Sequence, residues 1–326
     1  MDARGTRDLA ALGAALVTVC FWASAFVGIR SAGRSLSPGA LSLGRLAVAL
    51  VALAVVCLLR RERMPSREDL RAVAAPLLFC GLLWFGLYNL MLNSGERRVD
   101  AGTAAMLVNI GPILIAILAG VLLREGFPPM LFIGIAFAFA GVAVIGFATA
   151  QHAATTAGIL LCVGSAVAYA AAAVSQKVVL RRLAPLPTIL LCCAIGVVFF
   201  LPWAPQLARE AGEAPAGSLG WVVFLGLFPT ALGFVTWAFA LSRTDAGRLG
   251  ATTYLVPPLS ILLGWLWLGE GPAGLAYLGG ALCLLGVAIG RTRRFGPLRS
   301  RRADPDRAPA GDQHRPPQPD CDASAA

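Results

Sequence analysis

The sequence predicts an all-α polytopic membrane protein with ten transmembrane helices in two inverted five-helix repeats. Apolar residues make up 58% of the 326 residues, charged residues make up 13%, and the mean hydropathy is +0.75. These values lie far outside the range of soluble domains. Long apolar stretches are the second observation, and an internal repeat at an offset of 145 residues is the third. Together they place the chain in a bilayer and give it internal symmetry.

Ten apolar stretches are long enough to cross the hydrocarbon layer, which needs about 20 residues of helix. They are rich in Leu and Ala and lack the alternation of a membrane β-strand, so they are predicted to be helices. Their predicted bounds are 9–29, 38–59, 72–93, 101–123, 129–148, 156–176, 186–204, 219–241, 247–268 and 272–290. The first stretch contains an A-x-A pattern at Ala23-Ser24-Ala25 but is too long for a typical signal-peptide core. We therefore expect it to be an uncleaved span.

The internal repeat aligns residues 100–144 with residues 245–289 without a gap. Identical pairs are Asp100/Asp245, Gly102/Gly247, Pro112/Pro257, Glu125/Glu270, Gly126/Gly271, Gly134/Gly279 and Gly141/Gly286, with Phe79/Phe224, Gly81/Gly226 and Leu82/Leu227 upstream. Because each copy holds five predicted spans, an odd number, the second copy enters the bilayer upside down relative to the first. The predicted domains are a first repeat over 1–148, a second repeat over 149–290 and a disordered cytoplasmic tail over 291–326.

Positive charges at span ends predict the orientation. Lys and Arg are retained on the cytoplasmic side. The loop after span two carries five arginines, whereas the corresponding loop at about 205–218 carries Arg209 beside Glu210 and Glu213. We therefore expect a multi-pass protein of the cell membrane with both termini in the cytoplasm. The net charge of +10 is spread over span ends and the tail, so no nucleic-acid partner is expected.

Two prolines occupy equivalent places halfway along spans four and nine, namely Pro112 and Pro257, and Pro258 follows the second. A proline inside a helix removes a backbone hydrogen bond, and such a break in lipid must face protein or water. Interrupted helices at matching positions of two repeats indicate a transport site. The alternative is that both prolines merely kink their helices.

Polar and aromatic side chains at mid-depth complete the candidate substrate pathway. The predicted pathway residues are Trp22, Arg45, Tyr88, Asn89, Asn109, Pro112, Tyr169, Gln176, Trp237, Tyr254 and Pro257. Arg45 is about seven residues into span two, where a charge is a functional hypothesis by default and could hold a substrate carboxylate. The alternatives are snorkelling or a bond to a helix end for Arg45, and interhelical hydrogen bonding for the uncharged polar residues.

Span ends and glycines indicate structural contacts. Glu125 and Glu270 lie beside Gly at span ends, where a cap or loop contact is expected rather than proton transport. Gly286 and Gly290 form a G-x-x-x-G pattern, which permits close helix approach within the molecule or against a second copy. Seven of the eight cysteines lie within spans without metal-type spacing, so they are expected to pack as small apolar residues.

Several motifs in their order make the chain resemble the EamA-type transporters of the drug/metabolite transporter superfamily. They are Phe21-Trp22-Ala23-Ser24-Ala25-Phe26, Arg45, Pro112, Glu125-Gly126, Pro257 and Glu270-Gly271. The resemblance covers residues 9–290 and implies ten helices in two inverted repeats, a central substrate cavity and, most often, export of small metabolites or amino acids. The chain departs from the small multidrug-resistance relatives, whose first helix bears an essential glutamate, because no Asp or Glu lies deep in any span. This difference argues against proton-coupled cation export.

The sequence thus predicts a secondary transporter, in the export direction, for small metabolites or amino-acid-like solutes, working by alternating access without a cofactor or metal ion. An enzyme is not expected, because His152 and His314 fall in a loop and the tail, and no deep carboxylate pair or nucleophile motif is present. A non-transport membrane protein, whether channel, scaffold or membrane enzyme, is the alternative. Monomer and homodimer are both compatible with the glycine pattern.

Overall fold

A computed structural model describes residues 3–95, 97–99, 107–149, 155–268 and 274–291. All regular secondary structure in these ranges is helical. The helices are α1 (Ala3–Ala32), α2 (Pro38–Leu59), α3 (Arg67–Gly95), α4 (Gly111–Leu122), α5 (Pro129–Thr149), α6 (Thr156–Val179), α7 (Pro185–Phe200), α8 (Ala204–Glu213), α9 (Ala216–Arg243), α10 (Ala246–Thr252 and Val256–Leu268, joined by a 3-10 turn) and α11 (Gly274–Arg291). The start of predicted span four, Asp100, Gly102, Glu270, Gly271 and nearly all of the predicted tail lie outside the described residues.

Seven helices in the described ranges are long and apolar enough to cross a membrane, and α4 and residues 277–290 of α11 are shorter apolar helices. Large apolar side chains such as Leu58, Phe147 and Leu160 lie on the outside of the bundle. Lipid can cover such side chains, whereas a soluble monomer rarely exposes so many. The predicted multi-pass membrane fold is therefore confirmed.

The amphipathic helix α8 is a feature that the sequence analysis placed in a loop. It follows α7 through a 3-10 turn at Leu201–Trp203 and has no fully buried residue. Glu210 of α8 accepts a hydrogen bond from the backbone nitrogen of Ser37 at 2.7 Å. This bond ties α8 to the N-terminal end of α2.

Two helices contain a π-helical segment at the same place in the repeat. The segment in α3 is Gly81–Tyr88 and that in α9 is Gly226–Leu232. A Cβ atom at Gly81 would lie 2.8 Å from the Cβ of Ile195 in α7, and one at Gly226 would lie 2.6 Å from the Cβ of Val48 in α2. The glycines therefore let a neighbouring helix lie directly against each widened turn.

Side chains donate to backbone carbonyls at both π segments. Pro229 lacks the N–H that the carbonyl of Leu225 would accept in an α-helix, and Thr230 Oγ1 donates to that carbonyl at 2.8 Å. In α3, Asn89 Nδ2 donates to the carbonyls of Trp84 and Phe85 at 3.0 and 3.2 Å. Insertion of a side chain into the helix ladder is a recognised cause of such local widening.

The first helix of each half packs against helices of the other half. In the described ranges, α1 contacts α9 and α10, while α6 contacts α3 and α4. The remaining helices pair across the halves as α2 with α7 and α5 with α11. The bundle therefore has contacts between the two halves throughout its interior.

Helices α5 and α11 make a close contact, and glycines allow it. A Cβ atom at Gly134 would lie 2.5 Å from both the Gly286 oxygen and the Gly290 nitrogen, and one at Gly141 would lie 2.5 Å from the Gly279 oxygen. Backbone therefore meets backbone along this crossing, as small residues permit in membrane helices. The glycines that the sequence analysis assigned to packing do pack within the molecule.

Gly134→Ala should lower the free energy of unfolding by about 1–3 kcal/mol, because backbone atoms of α11 cannot move aside as a side chain can. Gly274→Ala at the start of α11 is the matched control, since a Cβ there meets no atom within 4 Å. Thermal unfolding in detergent would measure both variants. Equal unfolding temperatures for the two variants would contradict the close crossing.

Candidate functional site

Five aromatic side chains from α1, α3, α6 and α9 meet in the interior of the bundle. We call Trp22, Trp84, Tyr169, Phe234 and Trp237 the aromatic cluster. Ring centroids lie 5.1 Å apart for Trp22 and Trp237, 5.0 Å for Trp84 and Phe234, and 5.2 Å for Trp84 and Tyr169. The separations and tilted or edge-on geometries are those that aromatic pairs favour. The cluster fills the centre, where the family resemblance implied a cavity, so this conformation is closed there.

Hydrogen bonds between helices hold α1 and its Trp22 in place. Thr18 Oγ1 lies 2.8 Å from Thr236 Oγ1 of α9, and Ser260 Oγ of α10 donates to the carbonyl of Ala23 at 3.3 Å. Residues on both sides of Trp22 are thereby tied to the other half of the chain. Trp22, Tyr169 and Trp237 were predicted from the sequence, whereas Trp84 and Phe234 were not.

Polar atoms of the site are buried without partners among the described residues. They are Nε1 of Trp22 and Trp237, the hydroxyls of Tyr169 and Tyr254, and both amide atoms of Gln176. Buried polar atoms in native proteins nearly always have a partner, and each exception needs an explanation. A polar ligand or water that enters during transport would satisfy these groups.

Tyr169 joins the aromatic cluster to the break in α4. Its ring occupies the space that a side chain at Gly111 would need, since a Cβ there would lie 2.5 Å from the Tyr169 Cδ1. Its hydroxyl lies beside Thr253 of α10 but outside hydrogen-bonding geometry. Tyr169 and Gln176 are both buried on α6 and lie on one face, as their spacing of two turns predicts.

Both prolines follow an interruption of their helices. Asn109 and Ile110 form a turn directly before Gly111 and Pro112. Tyr254 lies in the 3-10 turn Thr253–Leu255, directly before Val256 and Pro257. Each proline is thus the second residue of a new α-helical segment, where its missing N–H costs little. The interruption precedes the proline in each case, whereas the sequence analysis placed the proline within the break.

The side chain of Asn89 donates hydrogen bonds to the backbone of its own helix. Its amide nitrogen is used by the carbonyls of the π segment, as described above. Both bonds lie within α3, so they differ from the interhelical hydrogen bonds that the sequence left open as the alternative. Tyr88, one residue earlier, lies with its ring centroid 6.0 Å from that of Tyr169.

Arg45 is the one charged residue among the predicted pathway residues, and it is 7% exposed. Its Nε donates to Thr230 Oγ1 at 3.0 Å, and the guanidinium lies near Tyr88 and Cys193. Among the described residues, no carboxylate lies within ion-pair distance of it. Neither snorkelling nor a bond to a helix end describes this arrangement. Thr230, the partner of Arg45, was not among the predicted residues.

The EamA-like transporter family model matches residues 9–147 and 156–291. The chain belongs to this family. A probable terminal-alkyne amino-acid exporter of Streptantibioticus cattleyicolor is 37% identical over 286 residues, covering 88% of this chain and 95% of that protein. The uncharacterized transporter YdfC of Bacillus subtilis is 31% identical, covering 82% of this chain and 86% of the relative. The predicted family and the predicted transport function are confirmed.

A protein of known crystal structure has the same fold as this EamA-like transporter. The two superimpose with a TM-score of 0.69 at 21% identity, over 90% of this chain and 100% of the other. An uncharacterized transporter of Archaeoglobus fulgidus is 31% identical, with 84% of this chain and 95% of the relative covered. The relatives therefore extend over nearly the whole apolar part of the chain.

Thr230→Val should lower the free energy of unfolding by about 1–3 kcal/mol, because it removes the acceptor of the buried Arg45 Nε. Thr188→Val is the matched control, since Thr188 is equally buried and donates only to the carbonyl of Ala184 in its own helix. Thermal unfolding in detergent would compare them. A control that loses as much stability as Thr230→Val would show that Arg45 does not depend on Thr230.

Proposed function

We propose that this EamA-like transporter exports small amino-acid-like solutes by alternating access, with the solute carboxylate bound by Arg45 and its apolar part by the aromatic cluster. The observation that carries the proposal is a buried guanidinium that has no acidic partner among the described residues and lies near Tyr88, whose ring contacts the aromatic cluster. Burial of an unpaired charge in a membrane protein is costly, and such charges mark ion or substrate pathways.

The geometry of Arg45 favours a planar anion. Thr230 fixes the Nε side of the guanidinium, so the two terminal nitrogens remain as a pair of donors with a set direction. Arginine binds carboxylates through two parallel hydrogen bonds. A carboxylate supplies a negative charge to balance the guanidinium and two oxygen atoms that accept from its terminal nitrogens.

The aromatic cluster suits the rest of such a solute. Tyr88 lies near Arg45 and also contacts Tyr169 of the cluster, so one small molecule could reach from the guanidinium to the rings. The unpartnered Trp22, Trp237 and Tyr169 groups offer hydrogen bonds to its polar atoms. The relative in Streptantibioticus cattleyicolor is named a probable terminal-alkyne amino-acid exporter. A solute of that kind combines a carboxylate with a hydrocarbon end, which is the combination that Arg45 and the aromatic cluster suit.

We further infer ten spans in two inverted repeats, residues 1–148 and 149–290, in the cell membrane with both termini cytoplasmic. Supporting observations are the two π segments and the two helix interruptions at equivalent places. Exchange of α1 and α6 between the halves is a second support, since a twofold relation maps each contact onto the other. Inverted repeats around a site near the midplane are a common design of secondary transporters. We propose transport as the only activity, a view supported by the relatives' names.

Arg45→Gln should reduce transport of amino acids with apolar side chains by at least about tenfold, because it removes the charge and one donor of the pair. Counterflow into proteoliposomes, with and without a pH gradient, would measure this for a panel of amino acids and their methyl esters. The esters lack the carboxylate, so wild type should discriminate against them and Arg45→Gln should not. Arg209→Gln, on exposed α8, is the control. An Arg45→Gln variant that still prefers the free acid would refute the proposed role.

Reporter fusions test the orientation. A reporter that is active only in the cytoplasm should be active after Arg63 and inactive after Glu213, because arginine-rich loops are retained in the cytoplasm. Fusion-protein levels, measured by immunoblot, serve as the control. Activity after Glu213 would invert the assigned topology.

A further inference from the structure

Two side chains from elsewhere in the bundle hold the connection between α9 and α10. Glu125, just after α4, accepts hydrogen bonds from the backbone nitrogens of Ala246 at 2.9 Å and Gly247 at 3.3 Å. Lys177, near the end of α6, donates to the carbonyls of Leu241 at 2.5 Å and Thr244 at 2.6 Å. One end of the bundle is thus joined by four bonds to a single short connection, which we call the α9–α10 connector (residues 241–247).

Each side chain complements a helix end that lacks its own cap. Asp245 is the N-cap residue of α10 but makes no side-chain cap bond, so the carboxylate of Glu125 takes over this role from another helix. Lys177 meets the last carbonyls of α9. A carboxylate at a helix N-terminus and an ammonium at a C-terminus both interact favourably with the helix dipoles. Lys177 also lies near Glu125 and Asp245, so opposite charges meet at the connector.

The backbone around Glu125 is shaped to present its carboxylate. Arg124 and Gly126, on either side, have φ angles of 57° and 79° in the left-handed region. Non-glycine residues adopt this conformation infrequently. The nitrogens of Leu123 and Glu125 both donate to the carbonyl of Ala119, which closes the end of α4. The position of Glu125 is therefore fixed by the end of α4.

The connector lies close to the candidate site along three helices. Lys177 is eight residues beyond Tyr169 on α6, Leu241 is four residues beyond Trp237 on α9, and Ala246 is eight residues before Tyr254 on α10. Eight residues of helix span about 12 Å. Movement of α9 and α10 away from α4 and α6 would open a path from this end of the bundle to the aromatic cluster.

We propose that Glu125 and Lys177 are positioning residues of transport that together form a latch, which keeps this end of the bundle closed while the site faces the opposite side. The latch bonds are made between side chains of α4 and α6 and backbone groups of α9 and α10, so they break when those pairs of helices separate. Release leaves the connector amides, carbonyls, carboxylate and ammonium facing water, which satisfies all of them. The bonds can therefore form and break in each cycle without stranding a buried polar group.

Thiol labelling tests the latch without any solute. The variant protein would carry alanine at its native cysteines and a single thiol from Thr253→Cys, a buried position beside Tyr169. A membrane-impermeant maleimide would be applied to vesicles of both orientations. Glu125→Gln and Lys177→Met should each raise the labelling rate from the face that bears the latch by roughly fivefold or more, as loss of a charged hydrogen bond implies, and lower it from the opposite face.

Matched variants separate the latch from general loosening. Glu210→Gln also removes a carboxylate that accepts from a backbone nitrogen, that of Ser37, and should not raise labelling from the latch face. Lys177→Arg keeps a charged donor and should restore at least half of the wild-type protection. An unchanged rate in both Glu125→Gln and Lys177→Met would overturn the proposal, and so would an equal rise from both faces with a lowered unfolding temperature. Because no solute is present, neither result depends on the Arg45 site.

Discussion

The absence of water from the hydrocarbon layer is the constraint on which the rest of this structure depends. A departure from α-helical geometry can free backbone groups that lipid cannot satisfy, and side chains donate to backbone carbonyls at both π segments. Thr230 donates to the carbonyl of Leu225, and Asn89 donates to the carbonyls of Trp84 and Phe85. Thr230 also accepts a hydrogen bond from Arg45, so the same hydroxyl group contacts the backbone of α9 and orients the guanidinium. The π segment of α9 therefore forms part of the candidate substrate site.

The contacts that hold the bundle together differ in kind from one region to another. Along α5 and α11, backbone atoms touch and no side chain can rearrange. Around the aromatic cluster, large rings from four helices pack against one another. Near the α9–α10 connector, the contacts are hydrogen bonds to backbone groups that water can replace. The contacts in the bundle thus range from close backbone packing to hydrogen bonds that water can replace.

The sequence predicted much of this architecture because a segment that crosses lipid must be a long apolar helix. Apolar length predicted the membrane helices, and the repeat predicted which glycines and prolines have structural roles. It did not predict Trp84, Phe234 or Thr230, because uniformly apolar helices carry no periodicity that tells which side faces the interior. Nor did it predict α8, whose polar residues read as a loop. The role of Asn89 was not predicted either, because the π segment of α3 has no sequence signature. In α9, Pro229 marks the corresponding segment.

The contact between α5 and α11 has a mechanical consequence. These two helices are equivalent members of the two copies, and they meet through main-chain atoms without intervening side chains. Such a seam resists sliding and separation, so α5 and α11 form one rigid unit that couples the C-terminal ends of the two copies.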